Sequence, residues 1–268
     1  MTPHIALGYL TIADASPAKL VYAAAGAGFD STGLRITGFH PGETGPGIIG
    51  NAANMNELKK AVRETGIGIA NISTYRFAPE LDVELLKPVF EASAELGATY
   101  VLATIFVPEP DMAQEKFVMA CELARPFGIE LMLEFMPASV VQTLAAAESF
   151  LSRAGQSNSC LMIDALHVQR SGLSIEELEK ADKTRFRSFQ ICDGVAERPR
   201  GHALWNEMID RLQPGEGAFP LPQMLQCLPK GIPIEVEVPR LLDRSHDFDS
   251  RAKRAYEISD RYLKTHFR

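Results

Sequence analysis

The stretch ELMLEFMPASVVQTLAAAESFLSRAGQSNSCLMI, residues Glu130 to Ile163, contains one complete strand, helix and strand unit. Its first apolar run, Glu130–Phe135, has the length of a buried strand, and Val140–Ala154 carries the wider apolar spacing of a helix. The second short run, Cys160–Ile163, returns to the strand pattern. This alternation is typical of a parallel sheet whose strands are joined by helices.

The same alternation extends in both directions along the chain. Eight runs are predicted as strands: Ile5–Leu10, Ser31–Ile36, Gly68–Ser73, Tyr100–Ile105, Glu130–Phe135, Cys160–Ile163, Ser188–Cys192 and Ile234–Val238. The helical patterns are Pro17–Ala27, Met55–Thr65, Val83–Leu96, Asp111–Pro126, Val140–Ala154, Ile175–Lys180, Phe219–Cys227 and Ser250–Thr265. Eight such units in about 250 residues have the size and order of a (β/α)8 or TIM barrel. We therefore predict an α/β fold with a single barrel domain over residues 1–268.

An open, doubly wound sheet is the alternative, because the order of strands and helices does not by itself show closure. That fold would favour a dinucleotide-binding motif, Gly-x-Gly-x-x-Gly, directly after the first strand. The nearest candidate, Gly26-Ala27-Gly28, lies at a helix end and has Ser31 where the third glycine is needed. These glycines are better explained as a helix C-cap and turn. The glycine- and proline-rich segment Pro41–Gly50 is predicted as a loop over one barrel mouth.

Composition excludes several classes of partner. Hydrophobic residues make up 46% of the chain, which favours one large core. The balance of 27 Lys and Arg against 34 Asp and Glu gives a net charge of −7, which argues against a nucleic-acid-binding surface. The four cysteines lack Cys-x-x-Cys spacing and are expected to be reduced. Without a basic or long apolar leader, we expect a soluble, cytoplasmic protein that does not bind a membrane, and homo-oligomerisation is left open.

Polar residues end four consecutive strands in the second half of the chain. They are Glu134, Asp164, Gln190 and Glu237. In a closed barrel these side chains share the mouth at which reactive groups lie, and several buried carboxylates would repel one another without a cation or proton between them. All-oxygen ligation suits a hard or borderline ion such as Mn²⁺ or Mg²⁺. The simpler alternative is that each acid pairs with an arginine or caps a helix.

Two further residues are candidates for contact with a substrate. His167 follows Asp164 by three residues, so its imidazole can reach the same pocket, either as a donor to a substrate hydroxyl, which we favour, or as a metal ligand. Arg211 precedes the loop Pro214–Gly217, and its guanidinium suits a hydroxyl, carboxylate or phosphate. Arg170 is predicted either to close the site or to form a salt bridge at its rim.

These motifs together resemble the sugar phosphate isomerase/epimerase family, also called xylose isomerase-like TIM barrels. The segments that carry the resemblance are Ala23–Asp30, Gly33–Arg35, Leu133–Pro137, Asp164–His167, Phe189–Gly194, Arg211 with Pro214–Gly217, and Ile234–Pro239. The resemblance covers essentially the whole chain. It implies one divalent metal ion, Mn, Mg or Zn, held by Glu134, Asp164, Gln190 and Glu237. It also implies that Glu134 and Glu237 are the catalytic acid and base, with His167 and Arg211 against the substrate.

The chain departs from the family pattern at three places. Many relatives have a histidine at the position of Gln190, and a neutral amide is a weaker metal ligand. Residues Ser73–Arg76 lack the acid expected at the end of the third strand. Glu235 stands where the family pattern usually has a small residue, and its side chain is expected on the same face of the strand as that of Glu237, two residues away. It is expected to be either a deeper partner of a cation such as Arg35 or a competing ligand.

The resulting functional prediction is a metal-dependent isomerase or epimerase that acts on a sugar-like polyol through an enediolate. One alternative is a dehydratase of an inosose or a dehydroshikimate-like substrate. Another is a degenerate barrel that binds a polyol without catalysis. A multi-zinc nuclease on this barrel would need several histidines at strand ends, and only His167 is so placed.

Overall fold

A parallel barrel forms the centre of the molecule in the computed structural model, which describes residues 3–38, 45–201 and 203–267. Its eight strands are bonded in chain order, and the last pairs with the first, so the sheet is closed. The strands are β1 (Ile5–Leu7), β2 (Ser31–Leu34), β3 (Gly68–Phe77), β4 (Tyr100–Ile105), β5 (Glu130–Glu134), β6 (Ser159–Asp164), β7 (Phe186–Ile191) and β8 (Ile234–Val236). The predicted TIM barrel is therefore confirmed, and the open sheet is not.

Helices cover the outside of the barrel. Within the described residues they are α1 (Pro17–Ala27), α2 (Ala52–Thr65), α3 (Lys87–Glu95), α4 (Pro110–Ala124), α5 (Leu144–Ala154), α6 (Ala165–Arg170), α7 (Ile175–Lys180), α8 (Leu204–Ile209), α9 (Leu221–Cys227) and α10 (Phe248–His266). Short 3-10 helices lie at Tyr9–Ile12, Val83–Leu86, Arg125–Phe127, Lys183–Arg185 and Leu241–Ser245. None of the helices in the described part of the chain is long and apolar enough to cross a membrane.

Capping residues explain where several helices begin and end. Ser16 accepts a hydrogen bond from the Lys19 amide, and Pro17 occupies the first turn of α1. Thr143 caps α5 in the same way, so this helix begins at Leu144 and not at the predicted Val140. Periodicity locates the apolar face of a helix, whereas the cap decides its first residue.

Two short helices, α6 and α8, were not predicted. Helix α6 begins directly after β6, and the Asp164 side chain accepts hydrogen bonds from the Leu166 and His167 amides at its N-terminus. The buried residues of α6, Ala165 to Val168, are consecutive, so its sequence shows no helical spacing of apolar and polar positions.

The barrel separates two apolar regions. The larger core lies between strands and helices and includes the fully buried Phe77, Phe90 and Phe117. A smaller cluster contains Leu102, Met132, Cys160 and Met162. Side chains two residues apart on a strand share a face, so Met132 lies on the face of Glu134, and Met162 on that of Asp164. The small cluster therefore fills the barrel beneath these two carboxylates.

All four cysteines are buried and unpaired, as predicted. Residues 41–44 of the predicted loop Pro41–Gly50 lie outside the described residues.

Candidate metal and substrate site

The four polar residues predicted at the strand ends meet at one mouth of the barrel. Glu134 and Asp164 are the last residues of β5 and β6, Gln190 is the last but one of β7, and Glu237 directly follows β8. All four are at least 95% buried. A cavity of about 330 Å³ opens above them, and Glu134, Gln190 and Glu237 line it together with His167 and Arg211. The structure thus brings every predicted site residue into one region.

Arg211 lies among the predicted metal ligands. Its Nη1 donates to Asp164 Oδ2 at 2.8 Å, and its Nη2 lies 3.0 Å from Glu237 Oε2. The Arg211 backbone amide donates to the Pro239 carbonyl, which ties the loop after α8 to the end of β8. One guanidinium therefore neutralises part of the negative charge of two carboxylates.

Asp164 uses both of its oxygens. Oδ1 accepts from the Leu166 amide at 2.6 Å and from the His167 amide at 3.3 Å, while Oδ2 faces Arg211. The simpler explanation of a strand-end acid, helix capping and arginine pairing, therefore describes the contacts of Asp164 in this structure.

His167 is completely buried on α6, next to Glu134. Its Nε2 lies 3.5 Å from Glu134 Oε1, and neither ring nitrogen makes a hydrogen bond within the described part of the chain. One potential ligand atom from each of Glu134, Asp164 and His167 lies within 4.8 Å of the others, a spacing that could hold a metal ion. His167 is therefore as well placed for a metal ligand as for a donor to substrate.

Gln190 faces two carboxylates from the adjacent strand. Its Nε2 donates to Glu235 Oε1 at 2.9 Å and to Glu237 Oε1 at 3.2 Å. Its Oε1 is buried and has no hydrogen-bond partner among the described residues. Buried polar atoms are normally paired, so this oxygen and the two imidazole nitrogens are atoms that a bound group would satisfy.

Burial shifts the pKa of most groups at this mouth. It raises the pKa of Glu237 to about 8, against the lowering effect of Arg211. Burial, followed by the charges of Asp164 and Glu237, raises the pKa of Glu134 well above its usual range. Burial also raises the pKa of Asp164, but Arg211, His167 and hydrogen bonds outweigh it, so that pKa is lowered. In a metal-free protein near neutral pH, protons on glutamates thus take the place of a cation.

His167 is shifted in the other direction. Burial lowers its pKa to about 4, although the Asp164 charge opposes this. The imidazole is therefore neutral near pH 7, the form that can bind a metal ion or exchange a proton with a substrate hydroxyl.

The hydrogen bonds that Glu235 accepts come from amides and not from Arg35, the cation named in one of its two expected roles. The Glu235 oxygens accept hydrogen bonds from Asn71 and Gln190, while Arg35 donates to the Tyr9 hydroxyl and the Thr74 carbonyl. Burial raises the pKa of Glu235 to about 7.

Sequence reasoning did not predict the roles that two groups have at this site. The Asp193 carboxylate accepts from four backbone amides, those of Gly194, Gly215, Gly217 and Phe219, and so fixes the loop after Arg211.

Three arginines, Arg35, Arg76 and Arg244, line the cavity from three separate segments. Their spacing along the chain carries no signal that groups them, whereas the glycines of Pro214–Gly217 do mark the loop that Asp193 holds.

A closed parallel barrel with buried carboxylates at the carboxyl ends of its strands has these groups at the face where barrel enzymes have their active sites. The model of one family, described as xylose isomerase-like TIM barrel, matches residues 21–257. The chain belongs to this family.

Similar proteins agree with that assignment. The chain is 32% identical to an inosose isomerase of Halalkalibacterium halodurans over 152 residues, which cover 53% of this chain and 52% of the relative. The chain thus spans about half the length of the curated relatives it matches.

Two solved structures show the same fold. One is the crystal structure of IolI protein with a bound zinc atom, with a TM-score of 0.82 and 21% identity, covering 98% of this chain and 99% of the other. The other is D-allulose 3-epimerase from Methylomonas sp. in complex with D-allulose, with a TM-score of 0.70 and 16% identity, covering 99% and 98%.

Proposed function

We propose that this protein is a metal-dependent isomerase or epimerase that moves a proton next to the carbonyl of a sugar-like polyol, with an inosose as the first substrate to test. The observation that carries the proposal is the pair of buried glutamates, Glu134 and Glu237, at one cavity beside Asp164 and Gln190. The names of the curated relatives support the substrate class, and the zinc atom in the IolI structure supports the ion.

The residues present fit one divalent ion. Gln190 Oε1 and the His167 nitrogens are buried without hydrogen-bond partners among the described residues, and the neighbouring acids repel one another. We assign the ligands as Glu134, Asp164, Gln190 and Glu237, and His167 is the alternative fourth donor. When bound, the ion supplies positive charge that stabilises negative oxygens developing on the substrate.

The two glutamates carry the proton transfer in this proposal. A carboxylate takes the proton from the carbon beside the carbonyl, which leaves an enediolate, and a carboxyl group returns a proton to give the product. Burial raises the pKa of Glu237 to about 8, which suits proton exchange near neutral pH, because a general acid or base works best when its pKa is close to the working pH. Burial raises the pKa of Glu134 in the same direction.

His167 and Arg211 hold the substrate. The neutral imidazole can accept from or donate to a hydroxyl. The Arg211 Nε donates to the Met208 carbonyl and its Nη1 donates to Cys192 Sγ as well as to Asp164. The N–H of Nη2 that does not face Glu237 is therefore the group that can donate to a substrate oxygen.

The test is turnover of an inosose in ²H₂O with Zn²⁺ or Mn²⁺, followed by nuclear magnetic resonance of the product. We expect solvent deuterium at the carbon beside the carbonyl. Glu134→Gln and Glu237→Gln should each lower kcat by roughly 10²- to 10⁴-fold, because the amide keeps the size of the side chain but removes the base. Glu130→Gln is the matched control, since Glu130 begins the same strand as Glu134 and faces Arg187 at its other end.

Product without solvent deuterium, together with near-normal activity of Glu237→Gln, would favour direct hydride transfer and remove the two-glutamate mechanism. Loss of water from the substrate would instead identify a dehydratase. Binding of the polyol without any turnover would identify the non-catalytic barrel.

A further inference from the structure

Glu235 is a buried carboxylate that the proposed proton transfer does not use. It lies in β8 with no exposed surface, and an unpaired carboxylate there would be costly. Its hydrogen bonds come from two amides: Asn71 Nδ2 donates to Oε2, and Gln190 Nε2 donates to Oε1 at 2.9 Å. Glu235 therefore has a defined contact with one predicted metal ligand, Gln190.

The contact with Glu235 shows which end of the Gln190 amide, nitrogen or oxygen, faces which way. In the structure the amide nitrogen is the branch that faces Glu235 and Glu237, and an oxygen of each side chain accepts a hydrogen bond from it. The amide oxygen then occupies the other branch, where it is buried and has no hydrogen-bond partner within the described chain. Gln190 lines the cavity that Glu134 also lines.

The arrangement is held from both sides of the barrel. Gln190 and Glu235 are paired in the register of β7 and β8, which places their side chains side by side. On the far side, Ser73 Oγ donates to Asn71 Oδ1 at 2.5 Å, so the Asn71 nitrogen is turned toward Glu235. Gly33 avoids a tight contact with Asn71, since a Cβ there would lie 3.1 Å from Asn71 Oδ1.

We propose that Glu235 is a positioning residue that fixes the Gln190 amide with its oxygen, and not its nitrogen, available to a divalent ion. The inference rests on the proposed function, in which Gln190 is a ligand. Its physical reason is that an amide oxygen attracts a cation, whereas an amide NH₂ repels it. Groups that orient ligands in this way contribute strongly to metal affinity.

The test measures Zn²⁺ and Mn²⁺ binding by calorimetry with the metal-free full chain. Glu235→Met removes both acceptors, and we expect it to raise the Kd of the ion by roughly 10- to 100-fold. Gln190→Met removes the ligand. Adding Glu235→Met to Gln190→Met should then change the Kd little, because Glu235 acts through the amide.

Glu235→Asp separates position from charge. It keeps the negative charge but withdraws the carboxylate by one methylene from Gln190, so we expect a raised Kd. This variant also decides the question if Glu235→Met does not fold, which the thermal midpoint of each metal-free variant reports.

The inference is overturned if Glu235→Met leaves the Kd unchanged. It is also overturned if Glu235→Met weakens binding equally with and without Gln190, or if Glu235→Asp binds like the parent chain. In these cases the ion still binds and the proposed function stands. A parent chain that binds neither ion removes both the metal of the proposed function and this role of Glu235.

Discussion

Arg211 is the buried cation that joins two of the proposed metal ligands. Its side chain is 1% exposed and contacts Asp164 and Glu237. Arg211→Met should lower the free energy of unfolding of the metal-free protein by about 3–5 kcal/mol, because it leaves two buried carboxylates without their partner. Zn²⁺ should then stabilise Arg211→Met more than it stabilises the parent chain, since the competing guanidinium is gone. Urea unfolding with and without Zn²⁺ measures both effects.

Arg251→Met is the matched control for Arg211→Met. Arg251 is also buried and pairs with Asp14, away from the cavity. We expect it to destabilise the chain without any added response to Zn²⁺. An equal response of both variants to Zn²⁺ would contradict the placement of the ion between Asp164 and Glu237.

The conformation of the loop after Arg211 depends on one carboxylate. Asp193 accepts from the amides of Gly215 and Gly217 at 3.0 Å each, in addition to those of Gly194 and Phe219. Asp193→Asn turns an NH₂ group toward some of these donors, and a hydrogen bond to a charged group contributes about 1.5–3 kcal/mol. We expect faster hydrogen exchange over residues 213–219 and a raised KM, because Arg211 lies two residues before this segment.

Asp182→Asn is the control for this prediction. Asp182 caps the 3-10 helix Lys183–Arg185 and is exposed. Its replacement should leave exchange in residues 213–219 unchanged. Unchanged exchange in Asp193→Asn would show that the loop is held by other contacts.

For the whole molecule, the buried glutamates predict an unusual dependence of stability on pH. Burial raises the pKa of Glu237 to about 8 and that of Glu235 to about 7, so the folded chain binds more protons than the unfolded chain between the usual glutamate value and these values. His167, with its pKa lowered to about 4, opposes this only below its unfolded value of 6.5. From pH 6.5 to 8 the metal-free protein should therefore lose stability as pH rises, by up to about 1.4 kcal/mol per pH unit for each carboxyl that stays protonated.

Chemical denaturation of the metal-free chain across this range measures the slope. Glu237→Gln should reduce it, because one titrating group is removed. Saturating Zn²⁺ should abolish or reverse it, since the ion takes the place of the protons. A metal-free protein whose stability rises through the same range would show that these glutamates are ionised in the folded state.

The sequence by itself determined the order of strands and helices, the barrel class and the strand-end positions of Glu134, Asp164, Gln190 and Glu237. These follow from local periodicity and from the polar residue that ends each apolar run, both of which depend on neighbours a few positions apart. Helix α6 was not predicted because its buried residues, Ala165 to Val168, are consecutive and follow the apolar run of β6 directly, so they show no helical spacing.

Only the tertiary structure decided which of these groups touch. Arg211 meets Asp164 across 47 positions of sequence, and Asn71 meets Glu235 across 164. Such pairs depend on the register of neighbouring strands and on closure of the sheet, which bring residues from opposite parts of the chain to one face of the barrel interior. Register is a property of two strands, and the apolar pattern of one strand does not determine it. The residues that contact Glu235 are therefore known only from the closed barrel.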